Sequence, residues 1–273
     1  MIKKENDKIL IQDDYFDIRS TLYCGQVFRF KEDNGIFTVY SKDKQAKIIE
    51  GEVTRIIGDV DYFYDYFDLS TNYRELAESI VDKPLVRQGL VKGKGIHILK
   101  QDPYETLISF IISANNHIPR IKGIIERLCA ALGEDKGEYK AFPSPEAMAS
   151  VDVEFYKNLG AGYRDAYLLD AVKKVYNKEI DIYSLYDLDT PTAAKELMKI
   201  KGVGPKVADC ILLFAYGKQD VFPVDTWIKK VYKELTGRED DQKTIRRYLL
   251  DVYGDLSGLA QQYLFYGVRS KDE

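Results

Sequence analysis

Cysteine is scarce in this chain of 273 residues. Cys24, Cys129 and Cys210 are widely separated, which excludes a disulfide framework and falls short of a four-cysteine metal or iron–sulfur cluster. There are two histidines, His97 and His117, with no metal-ligand spacing between them. No apolar run approaches the length of a membrane span. The opening Met-Ile-Lys-Lys-Glu-Asn-Asp-Lys has no apolar core of the kind a signal peptide needs. Basic excess is absent too: formal net charge is −4. That weighs mildly against a nucleic-acid binder without excluding a local basic face. The expectation is a cytoplasmic protein without a membrane partner, nucleoid-associated in a prokaryote, with a nucleus left open. A hydrophobic content of 45% supplies an ample core for one large domain or two modest ones.

The first fifty residues read as an antiparallel meander. Phe28-Arg-Phe30 and Ile36-Phe-Thr-Val-Tyr40 flank Asp33-Asn34-Gly35, a strong hairpin signal, and a strand over Ala46 to Ile49 follows. The aromatic run from Asp61 to Asp68 is expected to pack one layer on another. After about residue 100 helical periodicity takes over. Asp102-Pro103 opens a helix through Ile112, residues 119–132 form another, and Thr190-Pro191 starts a third. The expected architecture is α+β, with an N-terminal antiparallel-sheet domain over 1–99 and an all-helical domain over 100–273.

The segment richest in chemistry is Leu197-Met-Lys-Ile-Lys-Gly-Val-Gly-Pro-Lys-Val-Ala-Asp-Cys210, followed by Phe222-Pro-Val-Asp225. Gly202 and Gly204 permit a tight hairpin with φ > 0, and Pro205 suits the first position of a helix. The amides at that helix start favour a phosphate. A dinucleotide fingerprint fails because Val207 stands where its third glycine belongs, and a phosphate loop fails for want of Gly-Lys-Ser/Thr. A helix–hairpin–helix fits better. Taken alone, the segment also fits a tight helical turn with a surface lysine.

Lys206 lies in the first turn of that helix. At an ordinary pKa near 10.4, only about 0.04% of it is neutral at pH 7. A helix N-terminus and an apolar pocket, both expected here, lower that value. Neutral lysine attacks an electrophilic carbon and gives a Schiff base. Asp225, 19 residues on (225 − 206), precedes a helical run and suits an N-cap. A fixed carboxylate also stabilises developing positive charge. At about 4 Å, with an effective dielectric near 20, the attraction is roughly 4 kcal/mol, about a thousandfold in rate if kept for the transition state.

The span from Leu197 to Asp225 resembles the signature of helix–hairpin–helix DNA glycosylases, and lysine at 206 is similar to the bifunctional members. Further segments run in the same order as in one subfamily, the 8-oxoguanine DNA glycosylases. They are Cys24-Gly-Gln-Val-Phe-Arg-Phe30, Gln101-Asp-Pro103, Ser113-Ala-Asn-Asn-His-Ile-Pro-Arg120, Leu159-Gly-Ala-Gly-Tyr-Arg164, Lys206-Val-Ala-Asp-Cys210 and Gln261-Gln-Tyr-Leu-Phe265.

The resemblance implies excision of 8-oxoguanine opposite cytosine from duplex DNA by a monomer, with Lys206 and Asp225 catalytic. It implies that Cys210 and Phe265 sandwich the extruded base and that Gln261 reads its Watson–Crick edge. The Gly25 carbonyl would accept from the N7 hydrogen that only the oxidised base carries. It implies further that Asn115, Tyr163 and Arg164 fill and wedge the duplex, that Arg120 and Arg164 read the estranged cytosine, and that Gly202 and Gly204 hold the backbone. By composition alone Cys210 and Phe265 read more readily as plain core residues, and Gln261 as a solvent-facing glutamine. No cofactor is required and no catalytic metal is expected; a structural cation on hairpin backbone carbonyls is compatible. Many relatives have histidine where this chain has Trp227. The rival readings are a hairpin glycosylase for alkylated bases and a non-catalytic hairpin module that only clamps DNA.

Overall fold

The computed structural model describes residues 1–269. Six strands open the chain: β1 (Ile2–Lys4), β2 (Lys8–Ile11), β3 (Phe30–Asp33), β4 (Ile36–Ser41), β5 (Lys44–Ile49) and β6 (Thr54–Gly58). They form one antiparallel sheet in the order β1-β2-β6-β5-β4-β3. Asn34 and Gly35 join β3 to β4 with φ of +50° and +77°, the left-handed pair of a two-residue hairpin. The expected hairpin is therefore present, with β3 starting at Phe30. Strands β1, β2 and β6 were not legible in the sequence.

Helix α1 (Ile18–Tyr23) lies between β2 and β3, and α2 (Val60–Tyr66) follows β6. Ile18 and Leu22 of α1, with Phe63, Tyr66 and Phe67 at α2, cover the sheet face formed by Ile9, Ile11, Phe37, Val39, Ile48 and Ile56. The aromatic run thus packs helix on sheet, as expected.

The remaining helices are α3 (Tyr73–Ile80), α4 (Val86–Gly93), α5 (Pro103–Ser113), α6 (Ile118–Leu132), α7 (Pro145–Ala149), α8 (Val153–Asn158), α9 (Asp165–Tyr176), α10 (Thr190–Leu197), α11 (Pro205–Tyr216), α12 (Thr226–Thr236), α13 (Gln242–Tyr253) and α14 (Ser257–Arg269). Asp102 caps α5 through the Tyr104 and Glu105 amides, with Pro103 just inside, and Asp189 caps α10. Helices α5 and α11 are apolar nearly all round and form the centre of the second core, where Phe110 and Phe214 stack at 5.5 Å.

The expected division at 99/100 falls in the extended segment between α4 and α5, yet α3 and α4 pack into the helical core. Helix α4 crosses α14 closely: a Cβ on Gly89 would lie 2.5 Å from the Tyr263 carbonyl oxygen, and one on Gly267 would lie 2.9 Å from Gly89 Cα. A buried ion pair ties the two halves together. Arg29 Nη1 meets Glu105 Oε1 at 3.1 Å, and the Lys42 amide donates to Glu105 Oε2 at 2.7 Å. Among the described residues no helix is long and apolar enough to cross a membrane.

Candidate active site and nucleic-acid interface

The loop between α10 and α11 is a hairpin. The Ile200 amide bonds to the Leu197 carbonyl and the Val203 amide to the Ile200 carbonyl, both at 3.1 Å. Gly202 takes φ +83°, and a Cβ there would lie 2.4 Å from Cδ2 of Tyr167. Gly204 corrects the expectation of two positive-φ glycines. Its φ is −92° in extended backbone; it is the N-cap of α11, and a Cβ on it would meet open space. Pro205 follows at N1, and α11 begins there as expected.

Lys206 projects from the first turn of α11 and is half-buried. Its Nζ lies 5.8 Å from the centroid of the Phe110 ring on α5, and Cys210 follows one turn along the same helix. Burial pushes the Cys210 thiol up to about 11, against the pull of the Lys206 charge. Asp225 is the N-cap of α12, accepting from the Ile228 amide at 2.9 Å. Burial raises its pKa above the ordinary 3.8, opposed by that amide and by the positive charge of Lys206. Amine, thiol and carboxylate therefore share one electrostatic environment.

Gly25 sits after α1 with φ +81°, and a Cβ there would come within 3.3 Å of Cε1 of Phe265 on α14. Its loop is pinned by two buried glutamines. Gln26 donates to the Thr21 and His97 carbonyls at 2.9 and 2.8 Å and accepts from the Leu99 amide at 2.9 Å. Gln101 donates to the Gln26 carbonyl at 2.8 Å, while its own amide bonds to the Phe214 carbonyl at the end of α11. Two sequence segments that looked separate, at 24–30 and at 101–103, are thus one hydrogen-bonded unit. Gln261 is buried on α14, one turn before Phe265, and its Oε1 accepts from Gln262 Nε2 at 2.7 Å. Sequence reasoning missed Gln262. Its only signal was an adjacent amide, which carries no information without the fold.

A second cluster forms where α5 ends. Asn115 takes φ +49° and is exposed. Tyr163 is 55% exposed, with its hydroxyl 3.3 Å from the Ala114 carbonyl. Arg120 is exposed and donates to the Gly160 carbonyl at 3.1 Å. Arg164 departs from its expected role as a displayed reader. It is 2% exposed, and its guanidinium donates to the carbonyls of Ala114, Asn115 and Ala161 at 2.8, 2.8 and 3.1 Å. A guanidinium has only five N–H donors, and these bonds occupy most of them. Arg164 also stacks on Tyr163 at 4.4 Å. It is a strut for the turn that presents Asn115.

The basic face at the hairpin is partly neutralised. Lys199 pairs with Glu196 at 2.7 Å, Lys201 with Asp170 at 3.9 Å, and Lys233 with Glu239. Trp227 carries Lys230 over its ring at 4.1 Å. His97 lies in the core, bonded to the Phe67 and Tyr15 carbonyls and stacked on Tyr73 at 3.8 Å. Among the described residues no group of three or more His, Cys, Asp or Glu could hold a metal ion.

Known proteins share this fold. The sequence profile of the 8-oxoguanine DNA glycosylase N-terminal domain matches residues 8–107, and that of HhH-GPD superfamily base excision DNA repair proteins matches residues 108–253. A probable N-glycosylase/DNA lyase of Methanothermobacter thermautotrophicus is 31% identical over 228 residues, 74% of this chain and 72% of that protein. The solved structure of MBOgg1 with a low affinity DNA ligand superposes with a TM-score of 0.94 at 38% identity, covering 100% of this chain and 99% of the other. So does the Clostridium acetobutylicum 8-oxoguanine glycosylase/lyase in complex with dsDNA containing cytosine opposite to 8-oxoG, at 36% identity, the same coverage and the same TM-score. With two profiles in register and similarity along its full length, the chain belongs to the 8-oxoguanine DNA glycosylase family of the HhH-GPD superfamily.

Proposed function

We propose that this protein is a bifunctional DNA glycosylase and abasic-site lyase that removes 8-oxoguanine opposite cytosine. The observation that carries the reading is that Lys206 and Asp225 stand at the starts of two helices, with the Lys206 charge acting on both Asp225 and Cys210. Gly25 against Phe265 adds a place for a base. A module that merely clamps DNA needs neither the amine nor the buried carboxylate.

In this reading the duplex backbone lies on the amides of the hairpin and of the α11 N-terminus. The lesion swings out at a cost of a few kcal/mol. Asn115 fills the gap, Tyr163 wedges the stack, and Arg120 donates to the acceptors of the estranged cytosine. Arg164 holds the Asn115 turn from behind. The base stacks between Cys210 and Phe265, Gln261 meets its Watson–Crick edge, and the Gly25 carbonyl accepts the N7 hydrogen. One such contact is worth about 1–3 kcal/mol, so discrimination is shared among several.

The neutral Lys206 Nζ forms a bond to C1′ as the glycosidic C1′–N9 bond breaks, and the base leaves with the electron pair. Asp225, ionised, stabilises positive charge on the sugar. The C1′–O4′ bond then breaks, a proton from the new secondary ammonium ends on O4′, and the nitrogen lone pair forms the imine with C1′. Loss of a C2′ proton then drives elimination across C2′–C3′, and the 3′ phosphate leaves. No cofactor enters. A cation at the hairpin would draw on main-chain carbonyls, of which that of Lys199 already accepts from the Lys174 ammonium at 2.6 Å.

Borohydride trapping on a duplex with one 8-oxoguanine opposite cytosine tests the assignment. A covalent adduct is expected from the wild type and none from Lys206→Gln; equal yield from the variant refutes the role of Lys206. A parallel duplex carrying an alkylated purine separates the rival glycosylase reading.

A further inference from the structure

The Lys206–Cys210 run contains one polar residue for which the chemistry above has no use. Asp209 is 2% exposed and lies three residues after Lys206 on α11. Its carboxylate accepts from Nε and Nη2 of Arg246 on α13 at 2.5 and 2.9 Å, a two-pronged pair. Burial raises its pKa, while the nearby Phe222 amide favours its ionised form. One turn earlier on α13, Gln242 donates Nε2 to the Val224 carbonyl at 3.2 Å. Phe222 and Val224 flank Pro223 and lead directly into Asp225.

We propose that Asp209, Arg246 and Gln242 are positioning residues: together they clamp the Phe222–Val224 connection and so set the Asp225 carboxylate against Lys206. The proposal rests on the reading of Lys206 and Asp225 as the reacting pair. The connection is neither helix nor strand, and Pro223 has no N–H with which to anchor it. Its fixed points are therefore side chains. Asp209 shares α11 with the amine and pairs with Arg246, while Gln242 on the same α13 holds the Val224 carbonyl, so α13 links the two reacting elements. Gln242 and Arg246 lie four residues apart on one face of α13, so a single helix holds α11 with one side chain and the connection with the other. Folding alone does not call for this ion pair, since apolar replacements of buried pairs are often neutral for stability. Displacement of a reacting group by about 1 Å, by contrast, costs on the order of a hundredfold in rate.

The test is the double variant Asp209→Leu/Arg246→Met, with Gln242→Ala beside it. Three quantities are measured: thermal melting, affinity for a duplex carrying a tetrahydrofuran abasic analogue, and single-turnover excision of 8-oxoguanine. The clamp predicts folded protein, affinity within about twofold of wild type, and an excision rate lower by on the order of 100-fold for the pair. For Gln242→Ala the expected loss is about tenfold. A folded double variant that excises within twofold of the wild type overturns the proposal. If the double variant does not fold, Gln242→Ala decides alone: a tenfold loss at unchanged affinity supports the clamp, and a wild-type rate overturns it. Asp225→Asn serves as control. Should it retain the wild-type rate, the reading of the reacting pair fails; should it be inactive while the clamp variants are not, only the clamp fails.

Discussion

Gly202 and Gly204 are two residues apart and do different work. At Gly202 a methyl group would strike Tyr167, and the φ of +83° is costly for any L side chain. Gly202→Ala is expected to lower stability by about 2 kcal/mol or more. Gly204 has ordinary φ and open space in front of it. Gly204→Ala should leave the melting temperature nearly unchanged while weakening duplex binding, because its methyl stands where a phosphate would approach. Thermal melting and DNA titration of both variants separate the two roles. Asp225 shows a different economy. Burial raises its pKa, so the native state holds that proton more tightly than the unfolded chain does. Between the ordinary 3.8 and the raised value, stability falls as pH rises, and above it the ionised carboxylate sits in the protein at a cost. Asn caps a helix as well as Asp. Asp225→Asn should therefore raise the melting temperature by roughly 2 °C at pH 7 while abolishing excision. In the wild type, the acid limb of the excision profile should lie above the ordinary aspartate range.

Helices α5 and α11 were readable because each joins a helix start signal to a long apolar run. Strands β1, β2 and β6 are short, and apolar Leu10 and Ile57 on outward positions broke the alternation that marks a strand. Helices α3 and α4 were overlooked because polar residues and two glycines dilute their apolar faces; Gly89 is there because α14 passes close by, and Gly93 because Ile96 folds back against it. The identities of the site residues could be read from motif order. Their supports could not, since Gln26, Gln101 and Arg164 act on carbonyls far away in the chain. Helix α6 carries another tertiary effect. Lys122 lies 3.4 Å from the centroid of the Phe30 ring and donates to the Phe30 carbonyl at 3.2 Å. Burial lowers its pKa to about 8, partly opposed by Glu126. The unfolded chain binds this proton more tightly than the native state does, so stability contributed here rises with pH between about 8 and the ordinary 10.5. The ammonium keeps part of its water, which reduces the effect. Lys122→Met is expected to stabilise by about 1 kcal/mol at pH 7. That gain should shrink as melting is followed from pH 7 to pH 10.

On the scale of the whole molecule, sheet and helices are held as one unit by buried polar contacts as well as by apolar packing. Arg29 on the sheet side and Glu105 on α5 are both buried, and Glu105 also receives the Lys42 amide. Glu105→Ala would leave Arg29 charged without its carboxylate, at an expected cost of about 3–5 kcal/mol. A single cooperative transition at lower denaturant should result; an unchanged midpoint would show that the pair does not couple the two halves.

The three cysteines have a consequence that belongs to the environment in which oxidised DNA accumulates. All are buried, and burial pushes Cys24 and Cys129 up to about 12 and Cys210 to about 11. Peroxide attacks the thiolate, and at pH 7 a thiol with that last value is ionised only about once in ten thousand. The sulfur atoms are thus slow targets for the oxidants that create the lesion, and the repair machinery stays chemically quiet while its substrate forms.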